Sequence, residues 1–156
     1  MSYENVLKYF EEIGLTERVK NLTQSSATVE DAAKALNCEP KQIAKTMSFL
    51  LNNRAILIVT AGDTKIDNKK YKSIFHQKAK MIPPDEVEKY VGHIPGGVCP
   101  FAIKADVQVY LDISLKRFET VYPAAGNSHS AIELTPDELE KISDCTSWVD
   151  VCTLKD

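Results

Sequence analysis

The sequence predicts an α+β domain built on a mixed, largely antiparallel β-sheet flanked by helices. Apolar residues recur at helical spacing in some segments and alternate in others, and the two kinds of segment are interspersed. Hairpin-length connections outnumber crossovers, which favours α+β over a wound parallel sheet. A chain of 156 residues, 44% apolar and 26% charged, can bury a core without disulfide or metal staples. No repeat, low-complexity stretch or linker divides it, so residues 1–156 are expected to form a single domain.

The elements follow in chain order. Val6, Leu7, Phe10 and Ile13 share one helical face, and Gly14 ends that helix. Thr28 and Asp31 open a second helix through Ala32, Ala33 and Leu36, with Asn37 at its C-terminus. Pro40 suits the first turn of a short helix carrying Ile43. Strands are expected at Thr46–Leu51 and Ala55–Thr60, joined by the hairpin loop Asn52-Asn53-Arg54. Asp67 caps a basic helix containing Tyr71, Ile74 and Phe75, and Pro83-Pro84-Asp85-Glu86 starts another with Val87, Tyr90 and Val91. Residues 92–100 form a loop. Val107–Asp112, Phe118–Ala124 and Ser130–Leu134 are strand segments, Thr135-Pro136-Asp137-Glu138 starts a helix, and Trp148–Val151 forms a last strand.

No run of about eighteen apolar residues occurs, so no membrane span is expected. Met1-Ser2-Tyr3-Glu4-Asn5 lacks the basic and apolar regions of a secretion signal, and Cys38, Cys99, Cys145 and Cys152 show no framework spacing. Reduced thiols and a cytoplasmic location are expected. The net charge of −3 argues against indiscriminate polyanion binding. Yet lysines 65, 69, 70, 72, 78 and 80 cluster with His76 against Asp67 alone. That run is either a solvated helix face or a selective contact with a nucleic-acid backbone.

Lys45 is the only charge between Lys41 and Arg54. In an extended chain it shares a face with Met47, Phe49 and Leu51, so it either snorkels out at the strand end or meets an anion. The loop His93-Ile94-Pro95-Gly96-Gly97-Val98-Cys99-Pro100-Phe101 pairs glycines that permit close approach with prolines that stiffen it. It is either a tight structural turn or a rim whose N–H groups stabilise an oxyanion. Residues 124–130, Ala-Ala-Gly-Asn-Ser-His-Ser, are either an anion nest or a turn whose side chains bond the backbone. Asp112 is a partner for Lys45 or a strand-end carboxylate. Cys99, with His93 or His129 as base, is a further nucleophile candidate, although nothing adjacent lowers its pKa. No spacing suits a zinc or iron site, and no mononucleotide or dinucleotide loop is present.

Taken in order, Thr28-Val29-Glu30-Asp31-Ala32-Ala33-Lys34-Ala35-Leu36, Gln42-Ile43-Ala44-Lys45-Thr46, Gly62-Asp63 and Gly97-Val98-Cys99-Pro100 resemble the YbaK-like aminoacyl-tRNA deacylases. These are relatives of the prolyl-tRNA synthetase-associated editing domain. The segment Ala125–Leu134 matches a variant of the same pattern, and the resemblance runs from about Thr28 to Leu139. It implies a mixed α/β sheet and hydrolysis of the ester joining a wrong amino acid to tRNA, without cofactor or metal. It places the catalytic parts on Lys45 and Gly97. Substrate contacts fall on Thr46, Gly96, Val98, Cys99, Pro100, Asp112 and on Gly126, Asn127, Ser128, His129 and Ser130. Lys69 and Lys70 are expected to meet acceptor-stem phosphates, and the partners are aminoacyl-tRNA and an aminoacyl-tRNA synthetase. The relatives that edit cysteinyl-tRNA carry a Tyr-x-His-Asp-like stretch where this chain reads Val19-Lys20-Asn21-Leu22-Thr23-Gln24, which leaves alanine or another small residue open. An aminoacyl ester is already activated, so positioned water and waiting N–H donors can suffice without a nucleophile–base pair. The alternative is a non-catalytic tRNA- or nucleotide-binding module that docks with a synthetase.

Overall fold

Side-chain caps open three of the described helices. The computed structural model describes residues 2–155. The first helix, α1, spans Ser2–Glu12 and closes through Gly14 at φ +76°. Helix α2 (Val29–Leu36) starts where the Thr28 hydroxyl accepts the Asp31 N–H and stops where Asn37 turns left-handed at φ 55°. Such a cap contributes about 1 kcal/mol. Asp67 accepts from the N–H groups of Lys69 and Lys70 to open α3 (Asn68–Phe75), and His76 closes it in the left-handed region. Helix α4 covers Val87–Val91, and α5 covers Pro136–Ile142 behind the reciprocal Thr135–Glu138 capping box.

The strands are β1 (Val19–Asn21), β2 (Ile43–Leu51), β3 (Arg54–Ala61), β4 (Thr64–Ile66), β5 (Gln108–Asp112), β6 (Tyr122–Pro123), β7 (Ser130–Ile132), β8 (Ser147–Val149) and β9 (Cys152–Leu154). The central sheet has the order β6-β2-β3-β5-β8, and β1-β7 and β4-β9 form two small sheets beside it. The sheet is mixed, as expected. Its antiparallel pairing is the long β2–β3 hairpin, from Ala44↔Ala61 to Leu51↔Arg54, and the two small sheets are antiparallel as well. The β2–β6, β3–β5 and β5–β8 pairings are parallel.

Several boundaries differ from the sequence reading for local reasons. Asn52 and Asn53 both take positive φ (52° and 66°), which gives a two-residue hairpin turn matched to strand twist, so Arg54 already belongs to β3. Pro40–Gln42 closes a single 3-10 turn and Ile43 is already strand. The expected strand Phe118–Ala124 shrinks to Tyr122–Pro123. Pro123 has no N–H to donate, and Val121 instead exchanges backbone bonds with Leu134. The expected strand at 148–151 divides: β8 ends at Val149, and β9 starts at Cys152 to pair with β4.

The strand β2 separates two apolar clusters. Ala44 and Leu50 face the larger, which holds Phe10, Leu57, Leu111, Leu115, Ile132 and Leu139. Met47, Phe49 and Leu51 face the smaller, with Ile56, Ile58, Tyr71 and Phe75. One edge of β2 is covered in two places. Ile43 and Ala44 pair with β6, while Leu50 donates to Lys80 O and Ser48 accepts from Ile82 N–H. Peptide groups alternate between the two edges of a strand, so Thr46 turns its own toward the gap between these covered stretches. That gap is where the molecule is hollow.

Candidate functional site

A hollow of about 180 Å³ opens beside the gap. The β2 residues Ile43, Ala44, Lys45 and Thr46 line one side, and Gly96 and Val98 of the glycine loop line another. Tyr122, Ala124, Ser130 and Ala131 close the back, while Ser26, Ala27, Thr28, Val29 and Ala32 form the wall around the start of α2. Most lining side chains are small. The volume falls below the roughly 300–1,000 Å³ of pockets for drug-sized ligands, so it suits a group of amino-acid size rather than a whole nucleotide.

Lys45 lies where alternation predicts, on the Met47 and Phe49 face of β2 at the strand's open end. Its ammonium donates to the Thr64 carbonyl at 2.5 Å. Burial is the main cause holding its pKa below the ordinary lysine value, and neighbouring Lys155 adds to the effect while Cys152 and Asp63 oppose it. The cation is therefore half-sheltered and met by a single carbonyl among the described residues, which leaves it donors to spare.

The glycine loop is built by turn chemistry. Pro95 and Gly96 occupy the middle of a turn in which Gly97 N–H donates to Ile94 O at 3.1 Å, and Gly96 has φ +88°. Proline followed by a positive-φ glycine is the pattern of a type II turn. Gly97 is buried against the second loop. A Cβ there would stand 2.6 Å from Gly126 C, Gly126 O and Asn127 Cα, so only glycine lets the two backbones meet. Gly97 N–H is thus engaged in the turn. Val98 N–H has no hydrogen-bond partner among the described residues.

The 124–130 segment mostly braces itself. Asn127 Oδ1 accepts from His129 N–H, and the Ser128 hydroxyl contacts His129 Nδ1. The His129 and Ser128 carbonyls accept from Leu22 and Ser26 N–H. These bonds tie residues 22–26 to the loop and carry Ser26 to the hollow. Gly126, Asn127, Ser128 and His129 are not among the residues that line the cavity, and Ser130 alone of that expected set is. Its hydroxyl, like those of Ser26 and Thr46, is buried with no partner among the described residues. Each such orphan costs about 1–3 kcal/mol when nothing fills its bonding capacity.

Other expected residues stand elsewhere. Asp112 is 1% exposed, and its carboxylate accepts from Ser114 N–H and Val151 N–H at 3.0 and 2.9 Å. It is a brace between the end of β5 and the chain after β8, outside the hollow, and not an ion-pair partner of Lys45. Pro100 is buried behind the glycine loop. Cys99 is fully buried, its thiol pushed up to about 12 by burial. His93 Nε2 lies 3.5 Å from Cys99 Sγ but 2.7 Å from Phe101 O, a carbonyl that can only accept. The proton therefore sits on Nε2, and that nitrogen cannot serve as a base toward the thiol. Lys69 is exposed, whereas Lys70 is held by Asp150 and the Cys152 carbonyl, both at 3.0 Å. Lys69 shares a surface recess with Lys72 and Lys78.

The sequence from Thr23 to Ile142 matches the family model described as an aminoacyl-tRNA editing domain. The chain belongs to the aminoacyl-tRNA editing domain family. It is 49% identical to the uncharacterized protein YwhH of Bacillus subtilis over 97% of this chain and 98% of that one. It is 26% identical to EbsC of Enterococcus faecalis, a candidate Cys-tRNA(Pro)/Cys-tRNA(Cys) deacylase, over 75% of this chain and 73% of that one. Against the proline–tRNA ligase of Bacillus pumilus it is 30% identical over 60% of its length and spans 17% of that protein. Among solved structures, a candidate trans-editing enzyme for prolyl tRNA synthetase superposes with a TM-score of 0.86 at 27% identity, covering 97% of both chains. The editing-domain fold and the YbaK-like resemblance therefore hold for this chain. No helix among the described residues is long and apolar enough to cross a membrane, and no group of three or more potential metal ligands occurs among them.

The wall from Ser26 to Ala32 was not expected as part of the site. Its only signal is the run of small residues Ser25-Ser26-Ala27 ahead of the Thr28 cap, which reads equally well as a linker. Tyr122 joins the lining with its hydroxyl turned away to Glu133.

Proposed function

We propose that the chain hydrolyses the ester linking a small amino acid to tRNA, acting in trans on product released by a synthetase. The observation that carries this reading is a single small hollow, in an editing-family chain, that joins Lys45, Thr46 and the Gly96–Val98 loop. The aminoacyl group enters the hollow. The terminal adenosine stays outside, with the Lys45 ammonium on its phosphate or ribose oxygens. Val98 N–H, unengaged in the fold, meets the aminoacyl carbonyl as negative charge develops on it. Gly97 contributes by being small, since its own N–H holds the turn. Water held by the vicinal ribose hydroxyl adds to the carbonyl, and the ribose oxygen departs with a proton. The protein supplies position and a fixed dipole and no covalent nucleophile. Lys69, Lys72 and Lys78, which share a surface recess, meet the acceptor-stem backbone.

The names of EbsC and of the structural neighbour support a deacylase partnered with a synthetase. The test is turnover of alanyl-, cysteinyl-, seryl- and threonyl-tRNA by the purified chain. Acceleration of at least one above spontaneous hydrolysis is expected. A chain that binds tRNA but accelerates none is a binding module.

A further inference from the structure

Three hydroxyls set this hollow apart from a plain apolar pocket. Ser26, Thr46 and Ser130 all line it, and each side-chain oxygen is shut off from bulk water without a hydrogen-bond partner among the described residues. They come from three separate elements: the loop before α2, the open end of β2 and the start of β7. The rest of the lining near them is Ala27, Ala124, Ala131 and Val98, which offer no polar side chain. Thr28 makes the contrast clear, for its hydroxyl also lies at the hollow but is spent on capping α2. A serine hydroxyl needs only one staggered rotation about χ1 to turn toward the cavity.

We infer that Ser26, Thr46 and Ser130 form a hydroxyl-recognising niche that selects aminoacyl groups bearing a small hydroxylated side chain, serine's or threonine's, over apolar ones of similar size. This rests on the editing reading above. A hydroxyl is both donor and acceptor, and so can complete orphaned hydroxyls of either polarity. An alanyl or valyl group entering the same space leaves the three oxygens as unpaired as they are, whereas a hydroxyl supplies the missing partner, and a polar site discriminates on that difference. A cysteinyl thiol fills the volume but hydrogen-bonds weakly. The α-ammonium is no rival explanation for a preference, since every aminoacyl ester carries it. A full charge is also poorly accommodated among alanine and valine side chains.

The experiment compares seryl and alanyl esters on one tRNA species, and in parallel the binding of the two stable amides, 3′-seryl- and 3′-alanylamino-3′-deoxyadenosine. At least about tenfold preference for the seryl form is expected in both. In Ser130→Ala and in the near-isosteric Thr46→Val the seryl-to-alanyl ratio should collapse toward one. Two variants on different elements guard against one failing to fold. Equal or better use of the alanyl ester, with turnover intact, overturns the niche and leaves the editing reading standing. Absence of turnover with tighter binding of the seryl amide supports the niche and removes the editing reading. Binding of both amides equally, or of neither at millimolar concentration, overturns the niche.

Discussion

The two facing walls of the hollow are made differently. The β2 wall is regular. Residues 44–46 are paired with β3 along one edge and Ile43 packs with Ala32 and Ala33, so Lys45 and Thr46 point apart because a strand alternates. The loop wall has no such repeat. Gly96 and Val98 are placed by a proline–glycine turn, by a glycine that lets residue 126 approach, and by carbonyls that catch residues 22 and 26. One wall tolerates substitution if volume and polarity are kept, whereas the other depends on backbone contacts that no side chain can replace.

The sharpest way to break the comparison is at Lys45. Lys45→Met keeps the aliphatic packing and removes the charge, so deacylation should fall by about 100-fold or more while the melting temperature holds. Retained turnover would take the lysine out of the mechanism. Gly97→Ala is next. It drives a Cβ into backbone at 2.6 Å, so a loss of stability of about 1–3 kcal/mol should accompany the loss of turnover. Gly96→Ala meets only Ala27 and Ser128 Cβ atoms at 3.6 Å and is opposed mainly by its φ of +88°, so it should cost about 1 kcal/mol. If thermal denaturation ranks the two the other way, the loop wall is not held by the 97–126 contact.

Smaller effects follow outside the walls. Lys69→Ala should reduce the slope of log affinity for tRNA against log salt by about one, and Lys70→Ala should leave it unchanged because Asp150 and Cys152 O already hold that ammonium. Equal slopes for both variants would return the run to the role of solvated face. The Lys45 pKa is lowered in the folded state, so the folded chain binds fewer protons than the unfolded one as pH rises from that lowered value to 10.5. Stability should therefore increase with pH across that window, after subtraction of the Lys45→Met curve. A decrease there would contradict the burial of the cation. Iodoacetamide at pH 8 should leave Cys99 unmodified by peptide mapping, because its thiol is raised to about 12 and fully buried.

What could be read from the sequence follows the same division. The caps at Thr28, Asp67 and Thr135, the Asn52-Asn53 turn and the solitary Lys45 are local signals, each decided by neighbours within a few residues. The fold class and the family pattern rest on them. The remainder depends on partners far along the chain. Strands β1, β4 and β9 are three residues long and exist only through pairing, so no periodicity announces them. Asp112 looks like a strand-end carboxylate free to meet Lys45 until Val151 N–H is seen on it. Lys70 looks like its neighbour Lys69 until Asp150 folds back. Ser26 is one of two adjacent serines in a featureless loop and becomes a lining residue only because Ser128 O captures its N–H. Gly97 looks like an oxyanion donor alongside Val98 until its N–H is seen to close a turn.

The most direct test of the central claim is single-turnover hydrolysis of small aminoacyl-tRNAs by the wild-type chain beside Lys45→Met and Gly97→Ala. The account predicts at least one ester cleaved well above the spontaneous rate by the wild type, and by neither variant at a comparable rate. Cleavage that survives both substitutions would contradict it by locating the chemistry away from this hollow.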